Sequence, residues 1–224
     1  MNTSELIKAN LAGVEQRIVA ACQRSKRDRN SVTLVAVTKL HPLPVVEAAW
    51  QVGLKHFGEN YAQELRDKAA AFSPEGLHWH AIGALQQKNA KYVAKAAHFF
   101  HALESLEVAQ ELSKRRTGAA LKCFIEVNVA KESSKAGMAP DALPQFLKTA
   151  ALPGLEFVGL TAMPPLVDDA EQSRPHFAAL RELAKAHQLP LLSMGTTSDF
   201  EVAIEEGATH IRVGTALFGE RPPR

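Results

Sequence analysis

The sequence predicts an α/β fold, a single (β/α)8 TIM barrel with an additional N-terminal helix. Short apolar segments rich in β-branched residues alternate with amphipathic segments along nearly the whole chain. Eight strand-like segments, each followed by a helix-like one, fit within the 224 residues. A closed barrel keeps so regular an alternation better than an open doubly wound sheet. An open sheet is the alternative, because the second and fourth strand segments are short and contain histidine.

The elements follow one another in a simple order. The N-terminal helix is predicted over 1–25, where apolar residues recur at steps of three and four behind Thr3 and Ser4 as candidate caps. The barrel is predicted over 32–220, and its first strand is apolar throughout, as strands buried on both faces are. The predicted strands are 32–38, 55–58, 77–82, 98–102, 121–128, 155–161, 190–194 and 209–213. The predicted helices are 43–52, 60–71, 88–96, 105–116, 140–151, 169–187, 199–206 and a short one after 215.

Composition narrows the class of protein. Lys plus Arg number 26 against 24 Asp plus Glu, a net charge of +2, which is too balanced for a dedicated nucleic-acid binder. Uncharged stretches fall short of the roughly 18 residues that a membrane helix needs, and the charged start of the chain does not resemble an export signal. No linker divides the chain, so 1–224 is predicted to be one domain, and a cytoplasmic location is expected.

Cysteine and histidine give no sign of a metal site or a disulfide framework. The chain has two cysteines, Cys22 and Cys123, without paired spacing, which fits a reducing compartment. His78 and His80 are two residues apart on a predicted strand, but the sequence offers no clear third ligand near them. We therefore predict no bound metal.

The residues that follow the strands are the candidates for a site, because a barrel carries its site at the carboxyl ends of its strands. Lys39 directly follows the first strand. One interpretation is a surface lysine with its stem along apolar atoms. The other is a Schiff-base lysine, whose neutral amine attacks an aldehyde when desolvation lowers its pKa. The spacing alone leaves both open.

Two loops at the end of the barrel predict a phosphate site. The seventh strand runs into the segment 195–198, Gly-Thr-Thr-Ser, and Ser198 with Glu201 has the spacing of a capping box. The eighth strand runs into Gly214 and Thr215. Neighbouring helix starts of this kind hold phosphate in many barrels. Tight turns and caps are the alternative for each loop taken alone, and the presence of both favours phosphate.

Arg212 and Asn60 complete the candidate site. Arg212 lies in the eighth strand, on the same face as His210 and Gly214 by period-two alternation. If that face is inward, the guanidinium needs an acceptor, either a ligand or a glutamate inside the barrel. Asn60 follows the second strand and is expected to cap the next helix or to line the mouth.

With these residues in place, the chain resembles the pyridoxal phosphate homeostasis proteins, single-domain relatives of the alanine racemase barrel. The matching motifs, in order, are Ala-Val-Thr-Lys at 36–39, Phe-Gly-Glu-Asn-Tyr at 57–61, Trp-His at 79–80 with Ile-Gly at 82–83, Ser-Lys-Ala-Gly at 134–137, Gly-Leu at 159–160 with Met-Pro at 163–164, and Ile-Arg-Val-Gly-Thr at 211–215 with Phe-Gly at 218–219. The chain departs from the family at 195–197, Gly-Thr-Thr in place of the usual Gly-Met-Ser, and at 88–89, where Lys precedes Asn.

The resemblance implies a cofactor, pyridoxal 5′-phosphate (PLP), joined to Lys39 as a Schiff base. It also implies phosphate contacts from the loops at Thr197 and at Gly214 and Thr215, with Arg212 near the pyridine nitrogen. Asn60 is counted among the residues of the same cofactor site.

The function implied by the resemblance is intracellular PLP homeostasis, by storage, buffering or delivery of the cofactor, without significant catalysis. PLP-dependent apoenzymes are candidate partners, and a monomer or weak dimer is expected. One alternative is a PLP-dependent amino-acid racemase, which needs proton donors on both faces of the cofactor, and 224 residues leave no room for the added domain of related racemases. Another is a Schiff-base aldolase or isomerase acting on a sugar phosphate.

Overall fold

Eight parallel strands form a closed barrel in chain order, β1 to β8, which confirms the predicted fold class. The computed structural model describes residues 2–130, 136–149, 151–165 and 167–220. The strands are β1 (Thr33–Val37), β2 (His56–Glu59), β3 (His78–Ala81), β4 (Phe99–Leu103), β5 (Leu121–Glu126), β6 (Leu155–Thr161), β7 (Leu191–Thr196) and β8 (His210–Val213). The pairing of β1 with β8 closes the barrel, so the predicted alternative of an open sheet is wrong.

Helices cover the outside of the barrel. They are α1 (Thr3–Arg24), α2 (Leu43–Gln51), α3 (Ala62–Ala71), α4 (Ala90–Ala96), α5 (Leu106–Arg115), α6 (Leu143–Thr149), α7 (Arg174–Ala186), α8 (Phe200–Glu205) and α9 (Thr215–Phe218). The predicted helices 140–151 and 169–187 each begin with a short 3-10 turn, which shortens the α-helix. Among the described residues, none of the helices combines the length and the apolar character needed to span a bilayer.

The N-terminal helix packs on the outside of the barrel against α2, α8 and α9. Its apolar stripe is buried, and the Asn10 side-chain amide donates to the Leu217 carbonyl at 2.9 Å. The predicted cap at Thr3 or Ser4 is wrong, because Asn2 is the N-cap. Its side chain accepts from the Glu5 amide and the Glu5 carboxylate accepts from the Asn2 amide, both at 2.9 Å.

Aromatic and imidazole rings fill the barrel interior, where branched aliphatic residues usually pack. Phe99, Phe124 and Val158 form a cluster of their own inside the barrel, separate from the core under the helices. The ring of His80 stacks on Phe99 with centroids 4.4 Å apart and planes 2° from parallel. The ring nitrogens of the buried histidines need hydrogen-bond partners. These hydrogen bonds connect the interior to the mouth of the barrel.

Candidate functional site

All six predicted site residues line one cavity at the carboxyl ends of the strands. Its volume is about 470 Å³, within the range usual for small-molecule sites. The predicted residues in its wall are Lys39, Asn60, Thr197, Arg212, Gly214 and Thr215. The other lining residues are Val37, His41, Ile82, Met163, Thr196, Ser198 and Gly219.

Lys39 reaches the cavity through the alternation of β1. Val37 and Lys39, two residues apart, both line the cavity, while Thr38 between them is buried on the opposite side. The Thr38 hydroxyl donates to Glu59 at 2.6 Å. The chain then turns sharply at Leu40, whose φ of 66° is in the left-handed region that residues other than glycine rarely adopt. Lys39 is therefore a half-buried residue of the cavity wall.

The loop after β7 presents hydroxyl groups to the cavity. Gly195 has a φ of 90°, and a Cβ atom there would lie 2.6 Å from the Ala203 Cβ atom, so a larger residue would not fit. Thr196, Thr197 and Ser198 follow it and line the wall. Hydroxyl and backbone donors in this position suit a phosphate group.

The loop is held by Asp199 rather than by the predicted capping box. The Asp199 carboxylate accepts the Thr196 amide at 2.7 Å and the Thr196 hydroxyl at 3.1 Å. Asp199 itself is the N-cap of α8, without a side-chain capping bond. The prediction that Ser198 and Glu201 form a capping box is wrong, because Glu201 instead pairs with Arg17 and Arg24 of α1.

The β8 loop and the β2 loop close the wall. A Cβ atom on Gly214 would come within 3.3 Å of the Val37 carbonyl oxygen, so this loop lies close against β1. Gly83 lies even closer to Asn60, because a Cβ atom there would be 2.2 Å from the Asn60 carbonyl oxygen. Tyr61 is the N-cap of α3, so of the two expected roles of Asn60 the capping role is wrong and the lining role is confirmed.

Arg212 lies at the inner side of the cavity and is 6% exposed. Its Nη1 atom donates to Thr161 Oγ1 at 3.1 Å, to the Ser193 carbonyl at 2.9 Å and to the Ser193 hydroxyl. Its Nη2 atom donates to the Ala162 carbonyl at 3.3 Å. Among the described residues no carboxylate forms an ion pair with Arg212. The expected alternative of a glutamate partner inside the barrel is therefore not found among these contacts. Burial lowers the pKa of Arg212, against the opposing charges of Glu126 and Asp199.

A hydrogen-bonded chain of histidines runs from Arg212 into the barrel. The Ser193 hydroxyl contacts His101 Nδ1 at 2.7 Å, His101 Nε2 contacts His80 Nδ1 at 2.8 Å, and His80 Nε2 contacts His56 Nδ1 at 2.9 Å. Arg212 donates to the Ser193 oxygen, so the Ser193 hydroxyl uses its own proton to donate to His101 Nδ1, which is the acceptor in this contact. This assigns the neutral Nε2-H tautomer to each imidazole in turn.

The protonation of these histidines agrees with that assignment. Burial lowers the pKa of His80 and of His101 well below the ordinary value, and neighbouring imidazoles add to the effect. His210, on the same inner face as Arg212, has its pKa lowered to about 3, first by burial. Among the described residues no group of three His, Cys, Asp or Glu side chains could hold a metal ion.

The sequence did not single out Thr161, Ser193 or His101, and it singled out Met163 only as part of the family motif at 163–164. Each lies on a strand or just after one. Which of them meet depends on the register of each strand against its neighbours, which the sequence does not specify. The Ser-Lys-Ala-Gly motif is only partly described, because Ser134 and Lys135 lie outside the described residues. Its Gly137 has a φ of 101°, and a Cβ atom there would lie 2.9 Å from the Asn128 amide nitrogen.

The class of protein that these residues define is a barrel with a candidate cofactor site at its mouth, built from a lysine after β1, two hydroxyl-bearing loops and a buried arginine. The family model described as "Alanine racemase, N-terminal domain" matches residues 9–222. Pyridoxal phosphate homeostasis proteins of Aquifex aeolicus and Pseudomonas aeruginosa are 40% and 41% identical over 220 residues, covering 94% and 96% of this chain and 96% of each relative. The structure of PipY of Synechococcus elongatus with PLP bound is 33% identical, with a TM-score of 0.81 over 95% of this chain and 100% of PipY. The chain belongs to the pyridoxal phosphate homeostasis proteins within the alanine racemase N-terminal domain family, which confirms the resemblance.

Proposed function

We propose that this chain binds PLP at the mouth of its barrel and serves intracellular PLP homeostasis, by storing, buffering or delivering the cofactor without turning over a substrate. The observation that carries the proposal is that Lys39, the two hydroxyl-bearing loops and Arg212 line one cavity of about 470 Å³. The names of the curated relatives and the PLP-bound structure of PipY support it.

The residues present fit the chemistry of PLP. The cavity has a primary amine from Lys39, hydroxyl donors from Thr197 and Thr215, and a fixed cation, Arg212. The loops leave space for a phosphate, because Gly195 turns where a side chain would collide with α8 and Gly214 has no side chain of its own. An amine, a phosphate cradle and a cation in one cavity are what a phosphorylated aldehyde requires.

Each residue then has a role that follows from its chemistry. When bound, PLP supplies an aldehyde that condenses with a primary amine, and Lys39 is the amine that lines the cavity. Thr197 and Thr215 donate hydrogen bonds to phosphate oxygens, while Gly214 allows close backbone approach. Asn60 supplies a polar side chain to the rim.

Arg212 is the residue that favours binding over catalysis. A guanidinium does not give up its proton at neutral pH, so Arg212, if it lay beside the pyridine nitrogen as the family resemblance implies, would leave that nitrogen without the proton that makes the ring a strong electron sink. The hydrogen bonds of Nη1 and Nη2 to Thr161, Ser193 and Ala162 hold the guanidinium in one orientation. We propose on this basis that the chain is not an efficient racemase.

The wider setting is also a proposal. We propose that 1–224 act as one domain, since α1 packs on the barrel, and that the protein is a monomer or weak dimer that passes PLP to apoenzymes. A cytoplasmic location agrees with Cys22 and Cys123, which are both buried and free. Analytical ultracentrifugation with and without PLP tests the oligomeric state. Delivery is tested by mixing the PLP-loaded protein with a PLP-dependent apoenzyme and measuring the activity that the apoenzyme gains.

The decisive experiment is borohydride reduction of the PLP-loaded protein, followed by peptide mass spectrometry. We expect wild type to be yellow and to carry the reduced adduct on Lys39. Lys39→Ala should keep the far-ultraviolet circular dichroism of wild type but lose the visible absorbance. Lys114→Ala, at an exposed position near the end of α5, is the matched control and should behave as wild type. A Lys39→Ala variant that stays as yellow and as fixable as wild type would refute the proposal.

A further inference from the structure

A buried cluster of charges lies directly behind Lys39, on the outer side of the barrel wall. Its centre is Lys68 of α3, a lysine only 7% exposed. The Lys68 ammonium donates to Glu59 Oε1 and to Glu64 Oε1, both at 2.7 Å, and to the Thr38 carbonyl oxygen at 2.9 Å. None of these three side chains lines the cavity, so the function proposed above does not use them.

The cluster holds the backbone on both sides of Lys39. On one side, Lys68 binds the carbonyl of Thr38, and Glu59 binds the Thr38 hydroxyl at 2.6 Å. On the other side, Glu64 Oε1 accepts the amide of Leu40 at 2.8 Å. The peptide groups before and after Lys39 are thus tied to one ammonium and its two carboxylates.

The backbone held in this way is strained. Leu40 has a φ of 66°, a left-handed conformation that is strained for a residue with a Cβ atom and persists only where the surroundings impose it. The hydrogen bond from the Leu40 amide to Glu64 is a contact that imposes it. The cluster therefore acts on the two peptide groups that carry the Lys39 side chain.

Stability alone is a poor reason for such a cluster. Buried ion pairs contribute little net stability, because the desolvation of the charges offsets their attraction. Within the described part of the chain, Glu59 Oε2 is buried without a hydrogen-bond partner, a cost that an apolar residue would avoid. Burial also raises the pKa of Glu59 to about 7, although Lys68 and Thr38 act in the opposite direction. What an apolar replacement could not do is bind the two peptide groups beside Lys39.

We propose that Lys68, together with Glu59 and Glu64, is a positioning set for Lys39. It fixes the strained turn at 38–40 so that the Lys39 amine is directed into the cavity and meets the aldehyde of PLP without a conformational search. This inference rests on the proposed function, since it concerns the same lysine. It assigns a role to three residues that touch neither the phosphate loops nor Arg212.

The test compares two ligands that differ in one group. PLP engages the phosphate loops and also Lys39, whereas pyridoxine 5′-phosphate carries an alcohol in place of the aldehyde and engages only the noncovalent part of the site. In Lys68→Met we expect the affinity for PLP and the rate of borohydride-trappable linkage to fall at least tenfold, the scale of a lost hydrogen bond to a charged group. The affinity for pyridoxine 5′-phosphate should stay within twofold of wild type. Lys114→Met, on the surface of α5, is the matched control and should change neither.

Glu64 offers a second pair of variants at the edge of the cluster, where its side chain is 19% exposed. Glu64→Gln keeps an oxygen acceptor for the Leu40 amide and should stay within threefold of wild type for PLP. Glu64→Met removes the acceptor and should show the same selective loss as Lys68→Met. These two variants decide the question by themselves if Lys68→Met does not fold.

Two results would overturn the inference. One is an equal loss of affinity for both ligands, which would mean that the cluster only supports the fold. The other is wild-type PLP binding in folded Lys68→Met or Glu64→Met. A failure of the proposed function is distinguishable from both, because it would appear in the wild-type protein as the absence of any trapped linkage at Lys39, and the positioning role would then be refuted with it.

Discussion

Acid should destabilise this barrel in two stages, because its interior holds neutral histidines. His80, His101 and His210 are at most 6% exposed, and burial lowers the pKa of each, to about 3 for His210. The unfolded chain takes up these protons below its ordinary histidine pKa of about 6.5, and the folded chain does not. Stability is therefore present above pH 6.5 and is lost as the pH falls, by about 1.4 kcal/mol per pH unit for each histidine.

Two buried carboxyls act in the opposite direction over part of the range. Burial raises the pKa of Glu59 and of Glu126 to about 7, so the folded state holds their protons between pH 7 and the unfolded value of 4.5. His56, whose pKa burial lowers to about 4, joins these three, so four histidines against two carboxyls leave a net loss of about 2.7 kcal/mol per pH unit between pH 6.5 and 4.5. Below pH 4.5 the carboxyls no longer compensate, and the loss steepens to about 5 kcal/mol per pH unit until His56 itself takes up a proton.

The assay is urea denaturation of the PLP-free protein at half-unit steps from pH 7.5 to 4.0, followed by circular dichroism. We expect a shallow decline in the free energy of unfolding down to about pH 4.5 and a steep one below it. Glu126→Gln removes one compensating carboxyl and should make the shallow part steeper by about 1.4 kcal/mol per pH unit. A stability that is constant or rises from pH 6.5 to 4.5, or an unchanged slope in Glu126→Gln, would refute the protonation states assigned to the interior.

Three further outcomes follow from the site and the N-terminal helix. Thr197→Ala or Thr215→Val should weaken PLP binding about tenfold or more in a calorimetric titration, since each hydroxyl is proposed to donate to the charged phosphate. The reaction with free pyridoxal should be unchanged, and equal wild-type affinities for pyridoxal and PLP would argue against a phosphate site. Asn2→Ala should lower the free energy of unfolding by about 1 kcal/mol, because it removes the cap of α1, and an unchanged urea midpoint would show that the cap is not needed. PLP-loaded protein incubated with L-alanine in deuterated water should form negligible D-alanine, and turnover of about 1 per second or faster would favour the racemase alternative.

The strand order and the principal site residues could be predicted because both follow from short-range rules. Apolar β-branched segments form buried strands, and residues just beyond them reach the mouth of a barrel. Period-two alternation was sufficient to place Arg212 and His210 on one face, and the structure shows that this face is the inner one. Lys39 follows the same rule, since it continues the alternation of Val35 and Val37.

The errors lie where several residues compete for one role. Asn2, Thr3 and Ser4 are all good N-caps, and the sequence alone does not decide at which of them the helix begins. Ser198 and Glu201 have the right spacing for a capping box, but Glu201 is drawn to Arg17 and Arg24 of a helix almost two hundred residues away in the chain. Tertiary ion pairs override local patterns of this kind.

The histidine chain and the cluster around Lys68 could not be predicted because their members are far apart in sequence. His56, His80 and His101 lie on three successive strands, and whether their rings meet depends on the shift of each strand against the next. Glu64 and Lys68 are four residues apart, a spacing typical of an exposed helical ion pair. Only the packing of α3 over the end of β1 shows that this pair is buried and bound to the backbone beside Lys39.

Arg212 links the chemistry of the mouth to the histidines below it. Its described hydrogen-bond partners are hydroxyl, carbonyl and thioether groups, so its charge is solvated by dipoles and is not cancelled by an ion pair. The imidazoles that continue the chain must stay neutral beside that cation, and burial already lowers the pKa of His101 in the same direction. Within the chain from Arg212 through Ser193 to the histidines, Arg212 therefore carries the positive charge. The guanidinium lines the same cavity as Lys39 and the hydroxyl-bearing loops. A ligand that enters this cavity meets that cation at its inner side, where an acceptor atom such as the ring nitrogen of the proposed cofactor suits the guanidinium, while the hydroxyl-bearing loops remain for the phosphate.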